Sequence, residues 1–403
     1  MIDIKDKKNC CGCSACAQRC PKQCITMQAD NEGFLYPNVN TKECINCGLC
    51  NKVCPTANQK ESKKPLKVYA AFNNNSDVRL QSSSGGVFSL LAEKTINDGG
   101  VVFGVKFDKS WMPVFDYTER IEGITEFRGS KYVQANIGNI YQKVEEFLKA
   151  DRKVLFSGTP CQIAGLNLYL RKEYANLLTV DMICHGTPSP KVWNMYLEEF
   201  CSRVSCNNQT DQDDTVPPRN IIESINFRHK SPCWNNYSIC ITNKGNTPQY
   251  CIKANKDPYM LAFLLNITLR PSCYDCPAKE GKSHSDIKLC DFWGIENLMP
   301  EYGVEKGVGG MMVYTSKGIE AFPLKKVTKK EFLLDDIVKY NPSYDKSSIK
   351  PSCRTVFFKK LDKCDNVIEF IEKYTRASLT HRFKRRVKGY LSSIKRHICK
   401  KIM

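Results

Sequence analysis

The sequence predicts a small cysteine-rich α+β domain, then a larger α/β domain, then a helical C-terminal tail. Three observations predict it. Ten of the 23 cysteines fall within the first 58 residues. From Val68 onward, short apolar runs alternate with helical patterns. Residues 373–403 hold no Asp or Glu and repeat apolar residues at helical spacing. A chain of 403 residues is long enough for two or three domains with buried cores.

Taken in order, residues 1–58 form the cysteine-rich domain. Residues 59–67 are polar and charged and read as a linker. The α/β domain spans 68–330. Val68–Phe72 reads as a strand, Ser84–Asn97 as a helix closed by Gly99 and Gly100, and Val101–Phe107 as the next strand. Lys153–Phe156 and Leu177–Ile183 are apolar runs, each followed by a turn and a helical pattern. Residues 203–219 are polar and read as an exposed insertion. Residues 331–372 read as a helical extension with loops, and 373–403 as a basic amphipathic helix.

Cysteine at this density fits either a disulfide-stapled secreted protein or a metal protein of a reducing compartment. The first residues contain no apolar signal core, and no apolar run reaches the roughly 18–20 residues that span a bilayer. The longest, Tyr259–Leu269, reads as a buried segment. A cytoplasmic protein with thiols free to bind metal is therefore expected.

One internal repeat carries the chemistry. Cys10-x2-Cys13-x2-Cys16-x3-Cys20-Pro21 recurs as Cys44-x2-Cys47-x2-Cys50-x3-Cys54-Pro55. Three thiolates at this spacing wrap one 4Fe–4S cube, and the fourth, expected at the start of a short helix, crosses to the other. Cys10, Cys13, Cys16 and Cys54 are thus expected to hold one cluster, and Cys44, Cys47, Cys50 and Cys20 the second. Zinc also binds C-x2-C pairs, but two complete four-cysteine runs with terminal prolines fit zinc poorly. The pattern resembles bacterial two-cluster ferredoxins. Cys11 and Cys24 are spare and read as small buried thiols, with a ligand swap at Cys11 left open.

The α/β domain adds further motifs. Ser82-Ser83-Ser84-Gly85-Gly86 precedes an amphipathic helix, with serines expected as caps and glycines expected to let a phosphate approach the backbone. In Ser157-Gly158-Thr159-Pro160-Cys161-Gln162, Thr159 and Gln162 predict a capping box with Pro160 at the first helical position. Cys161 then sits in the first turn, where the helix dipole favours the thiolate. Cys184-His185-Gly186-Thr187-Pro188-Ser189-Pro190 repeats this geometry after the next strand, with Ser189 as cap. Adjacent parallel strands would bring Cys161 and Cys184 together at their carboxyl ends. Cys273-Tyr274-Asp275-Cys276 supplies two more thiols, enough for a third cluster. Cys290 competes for one position, and ordinary core cysteines remain the alternative.

Ser-Ser-Gly-Gly at 83–86, Gly129-Ser130-Lys131-Tyr132, Gly-Thr-Pro-Cys-Gln at 158–162, Cys-His-Gly at 184–186, Phe227-Arg228-His229-Lys230, Arg-Pro-Ser-Cys-x2-Cys at 270–276 and Asp-Phe-Trp-Gly at 291–294 occur in that order. Together they resemble the beta-subunit family of coenzyme F420 hydrogenase and dehydrogenase over roughly residues 1–360, most closely its bacterial members from surface-polysaccharide gene clusters. The resemblance implies a flavin-binding α/β domain with FAD beside a 4Fe–4S cluster. It implies an oxidoreductase that gears single electrons to a two-electron step. Carried over residue by residue, it makes Ser84, Gly85, Gly86, Gly129, Ser130, Lys131 and Thr159 candidates for the FAD pocket. It makes Cys161, Cys184, Cys273 and Cys276 candidates for the third cluster.

His185 and Lys131 are candidate proton donors or anion binders, and for His185 the ordering of a loop is an equal reading. Asp291 reads as a turn cap in preference to a ribose ligand. A soluble electron donor, such as a ferredoxin or reductase subunit, is the expected partner. The alternative is an electron-transfer or adaptor subunit without a substrate site. In the tail, Leu379, Phe383, Val387, Tyr390, Leu391, Ile394, Ile398 and Ile402 share one face and Lys384-Arg385-Arg386 lies among the rest. Such a helix suits an anionic membrane surface, placing the protein peripherally on the inner face of the cytoplasmic membrane, or docking on a protein body. Nucleic acid is not expected, despite the net charge of +18, because cluster chemistry gives it no task.

Overall fold

The computed structural model describes residues 1–207, 218–244, 247–302, 304–322 and 325–376. The basic helix expected at 373–403 lies outside these residues beyond 376, as does most of the insertion expected at 203–219.

The N-terminal domain is a hairpin of β1 (Ile25–Ala29) and β2 (Leu35–Val39) with two four-residue helices, Ala15–Gln18 and Leu49–Lys52. The repeat in the sequence is a repeat in the backbone. In each cysteine loop the second and fourth residues after the first cysteine turn left-handed: Gly12 and Ser14, then Asn46 and Gly48. This tight path puts Cys16 and Cys50 inside the short helices. Cys20 and Cys54 therefore follow those helices and do not start them.

The α/β domain is built on β3 (Lys67–Asn73), β4 (Val101–Phe107), β5 (Pro113–Thr118), β6 (Val154–Ser157) and β7 (Leu177–Met182). A separate antiparallel sheet follows, of β8 (Ile222–Cys233), β9 (Asn236–Asn243) and β10 (Thr247–Lys253). The large sheet is completed by β11 (Ile287–Asp291), β12 (Gly309–Val313) and β13 (Val327–Glu331). Its order is β13-β3-β12-β11-β7-β6-β4-β5. The four neighbours β11, β7, β6 and β4 run parallel, and the outer pairings are antiparallel.

A parallel sheet covered on both faces explains the unbroken apolar runs. Along β6, Val154 and Phe156 pack with the helices Ile140–Lys149 and Pro160–Leu170, whereas Leu155 packs with the helix Val87–Asn97 on the other face. The three-stranded sheet packs with the helices Pro190–Asn207, Pro258–Leu264 and Arg354–Leu361.

The two domains share a core. Phe34, from the N-terminal hairpin turn, is fully buried among the aromatic and aliphatic side chains around Trp193 and Phe358. Burying such a ring contributes about 1.5–3 kcal/mol. Arg354 grips Glu32 through both terminal nitrogens, at 3.0 and 2.5 Å. Among the described residues no helix is long and apolar enough to cross a membrane.

Candidate functional site

Strands β6 and β7 lie side by side and parallel, so the turns after them meet at one edge. After β6, the Thr159 N–H donates to Gln162 Oε1 at 2.8 Å and Pro160 opens the helix, forming the expected capping box. After β7, Ser189 Oγ accepts from the Val192 N–H at 3.2 Å. Cys161 and Cys184 are thereby delivered to the same place. The short turn Pro271–Asp275 brings Cys273 and Cys276 to them.

These four thiols act on one another. The Cys184 thiol is pushed up by burial, and Cys273, Cys161 and Cys276 push it further, against Lys279. Burial likewise raises Cys276 to about 11, with Cys161 and Cys273 adding to it. Thiols this close ionise together only if a cation joins them. The Thr187 N–H donates to Cys273 Sγ at 3.4 Å, the kind of bond that supports a cluster ligand. The donor set therefore fits an iron–sulfur cluster. Cys290 stands apart on β11, its thiol directed at the Gly310 carbonyl and acted on by no other cysteine. Cys161 also departs from expectation. Its thiol is raised, not lowered, first by the neighbouring Cys11 thiol and then by burial, which outweigh the helix dipole.

Cys11 was thus the residue missed. Placed between Cys13 and Cys161, it links the N-terminal thiols to the four in the α/β domain. Cys10, Cys13 and Cys16 are mutual neighbours and Cys54 stands beside Cys10 and Cys16, Cys16 being raised to about 12 by burial, then by Cys10 and Cys54. Cys20, Cys44, Cys47 and Cys50 surround a second hollow with Cys24, whose sulfur lies 3.4 Å from that of Cys20. Arg270 closes the junction. Fully buried, it donates to the Cys10 carbonyl at 2.7 Å, Cys10 Sγ at 3.4 Å, the Leu35 carbonyl at 2.9 Å and Gln134 at 3.0 Å. Gly12 must be glycine, because a Cβ there would meet Arg270 and Gln134.

Beside Cys184 opens a cleft of about 470 Å³, a typical ligand-site size, which Cys290 also lines. Ser84, Gly85, Gly86, Gly129, Ser130, Lys131 and Thr159 all line it, as do Cys184 and His185. Tyr132, Tyr237, Phe263 and Trp293 add aromatic walls.

The serines do not cap the helix. It starts at Val87 after left-handed Gly86, without a side-chain cap. Ser83 Oγ instead accepts from the Ser130 N–H at 2.8 Å, and Ser84 Oγ donates to the Val308 carbonyl at 3.0 Å. Gly85 is required by the sheet, since a Cβ would strike the Ala71 carbonyl. The helix N-terminus is left facing the cleft with its amides free of side-chain acceptors, which suits an anion.

Lys131 Nζ donates to the carbonyls of Glu126 and Arg128 at 2.7 and 3.1 Å, and burial lowers it to about 7 against the pull of Glu126. His185 Nε2 lies 2.6 Å from Asn266 Oδ1, and its ring meets Phe263 edge-on. Asp291 is not a turn cap. It binds Arg228 through both oxygens, at 2.9 and 3.1 Å, and accepts from Trp234 Nε1 at 2.9 Å. Arg228 Nε, buried at this wall, has no hydrogen-bond partner among the described residues.

Residues 151–339 match the family model for the C terminus of the coenzyme F420 hydrogenase/dehydrogenase beta subunit, and residues 9–58 match the 4Fe–4S dicluster domain. Over 54 residues the chain is 35% identical to a ferredoxin of Streptomyces griseus and 37% identical to one of Mycolicibacterium smegmatis. Each match takes 13% of this chain and 40% of the ferredoxin, so the chain spans well under half the length of these curated relatives. A chain from the xenon-derivatised F420-reducing NiFe hydrogenase complex of Methanosarcina barkeri aligns at 14% identity with a TM-score of 0.44, covering 78% of this chain and 92% of that one. The chain is thus an iron–sulfur protein that carries an N-terminal 4Fe–4S dicluster domain and, over residues 151–339, a region matching the C terminus of the coenzyme F420 hydrogenase/dehydrogenase beta subunit.

Proposed function

We propose that the chain is an iron–sulfur flavoprotein oxidoreductase that takes single electrons at its N-terminal domain and delivers them in pairs at the cleft. The observation that carries this reading is a run of cysteines, each acting on the next. It runs from the dicluster cysteines through Cys11 to Cys161, and on to Cys184 in the cleft wall. When bound, the clusters carry single electrons and a flavin joins two of them into one hydride equivalent.

The residues divide this work among themselves. Cys10, Cys13, Cys16 and Cys54 would hold the cluster nearer the α/β domain, and Cys20, Cys44, Cys47 and Cys50 the outer one. Cys161, Cys184, Cys273 and Cys276 would hold a third. Ser84, Gly85, Gly86, Gly129, Ser130, Lys131 and Thr159 would bind FAD, with its phosphates at the start of the helix Val87–Asn97. Cys47 and Ile45 are exposed, which suits contact with a soluble ferredoxin-like donor or a reductase subunit. Lys131 and His185 stand where a proton or an anionic group of the acceptor would be met. A role in surface-polysaccharide synthesis fits the bacterial members that the sequence most resembles.

The test is flavin reduction. Reconstituted protein should bind one flavin, and a reduced ferredoxin should reduce it. Cys184→Ser should keep the flavin and slow its reduction by orders of magnitude. Equal rates in the two proteins would refute the wiring. Absence of bound flavin would leave an electron-transfer subunit in its place.

A further inference from the structure

Away from the cleft, the three-stranded sheet carries a second group of metal-binding atoms. Along β9, Ile239 and Ile241 enter the main core, so Cys240 between them points to the opposite face. Cys251 on β10 is its direct cross-strand partner and so shares that face. On β8 the register slips between Asn226 and His229, and His229 then pairs with Ser238, two residues from Cys240. That bulge turns the imidazole towards the two thiols. His229 Nδ1 lies 3.7 Å from Cys251 Sγ, and the ligand atoms of all three residues fall within 4.8 Å of one another.

We propose that His229, Cys240 and Cys251 form a zinc site that clamps β8, β9 and β10 together. Zinc sits about 2.3 Å from sulfur and about 2.0–2.1 Å from a histidine nitrogen, which places tetrahedral ligand atoms roughly 3.5–3.8 Å apart. The 3.7 Å between His229 and Cys251 falls in this range, and the other pairs lie within 4.8 Å. Two thiolates neutralise the dication, and a Cys2His set is soft enough to choose zinc over magnesium or calcium. Cys251 is exposed, so water can reach the site and serve as a fourth ligand. The site is separate from the cluster cysteines: besides burial, Cys251 is the group that acts on the Cys240 thiol among the described residues.

The experiment uses the full chain, reconstituted anaerobically with iron and sulfide and washed with chelator. Zinc is then titrated against a chromophoric competitor, and bound zinc and iron are counted by mass spectrometry. The wild type should hold one zinc per chain with its iron unchanged. Cys251→Ser, at an exposed position, should keep its iron and bind zinc at least roughly 100-fold more weakly. His229→Ala should weaken zinc in the same way. Equal zinc in wild type and variants, or zinc taken up only as iron is lost, would overturn the proposal. So would a Cys240–Cys251 disulfide in protein kept under reductant.

Discussion

The thiols of the N-terminal domain and those beside the cleft are assembled by opposite routes. The first eight come from two short runs whose backbones repeat, with left-handed residues at matching positions. Around them are two four-residue helices, one hairpin and a small apolar core of Ile2, Ile25 and the cysteines themselves. The other four come from Cys161, Cys184, Cys273 and Cys276, far apart in sequence. Cys161 and Cys184 are placed by parallel strands buried on both faces, and the turn Pro271–Asp275 brings Cys273 and Cys276 to them. A cage of the first kind is expected to need its metal in order to fold, and one of the second kind to be built before metal arrives.

Stripping the metal is the hardest test of that difference. With acid and chelator, the amides of β1 and β2 should lose their protection from hydrogen exchange. Those of β6 and β7 should keep theirs. Protection that survives in β1 and β2 would erase the contrast.

The cleft wall gives the next largest effect. Arg228→Met leaves Asp291 charged and largely buried without its partner, which costs roughly 3–5 kcal/mol in urea unfolding. A loss below 1 kcal/mol would mean that the pair is solvent-screened.

At the thiols beside the cleft, Cys161→Ser should remove about a third of the iron and leave the dicluster iron in place. Loss of all the iron would show that the two cages are one folding unit.

Arg270 sharpens the comparison where the cages meet. Were Cys10 to hold a cluster, the Arg270 guanidinium would favour its more negative, reduced state. Losing a charge-assisted bond worth about 1.5–3 kcal/mol lowers a one-electron potential by roughly 60–130 mV, so Arg270→Gln should fall by up to that amount in an electron-paramagnetic-resonance titration. Arg270→Lys should fall less.

The smallest effect is a pH dependence. Burial lowers Lys131 to about 7, and an anion in the cleft favours its charged form. Binding then takes up a proton, so flavin affinity should fall as pH rises above about 7, by less than about tenfold per unit. The Lys131→Met protein should show a flatter profile in fluorescence titrations.

Local chemistry was legible in the sequence and non-local chemistry was not. The cysteine repeat, the capping box at Thr159 and the meeting of Cys161 with Cys184 follow from spacing and from the rule that parallel strands end together. The partnership of Cys11 with Cys161 could not be read, because it depends on how one domain docks on another. Its only signal was a spare cysteine inside a ligand loop. Asp291 looked like a turn cap because its partner Arg228 lies on a different sheet. The serines before Val87 looked like caps because their true partners, Ser130 and Val308, come from distant loops. Dipole reasoning failed at Cys161 because a neighbouring thiol and burial outweigh a helix terminus.

The most direct test of this run of cysteines is a count of iron, acid-labile sulfide and flavin per chain in anaerobically purified protein. Roughly twelve irons, as many sulfides and one flavin are predicted. Roughly eight irons with no flavin would contradict the run at the cleft, and zinc in place of iron and sulfide would contradict it from its first cysteine.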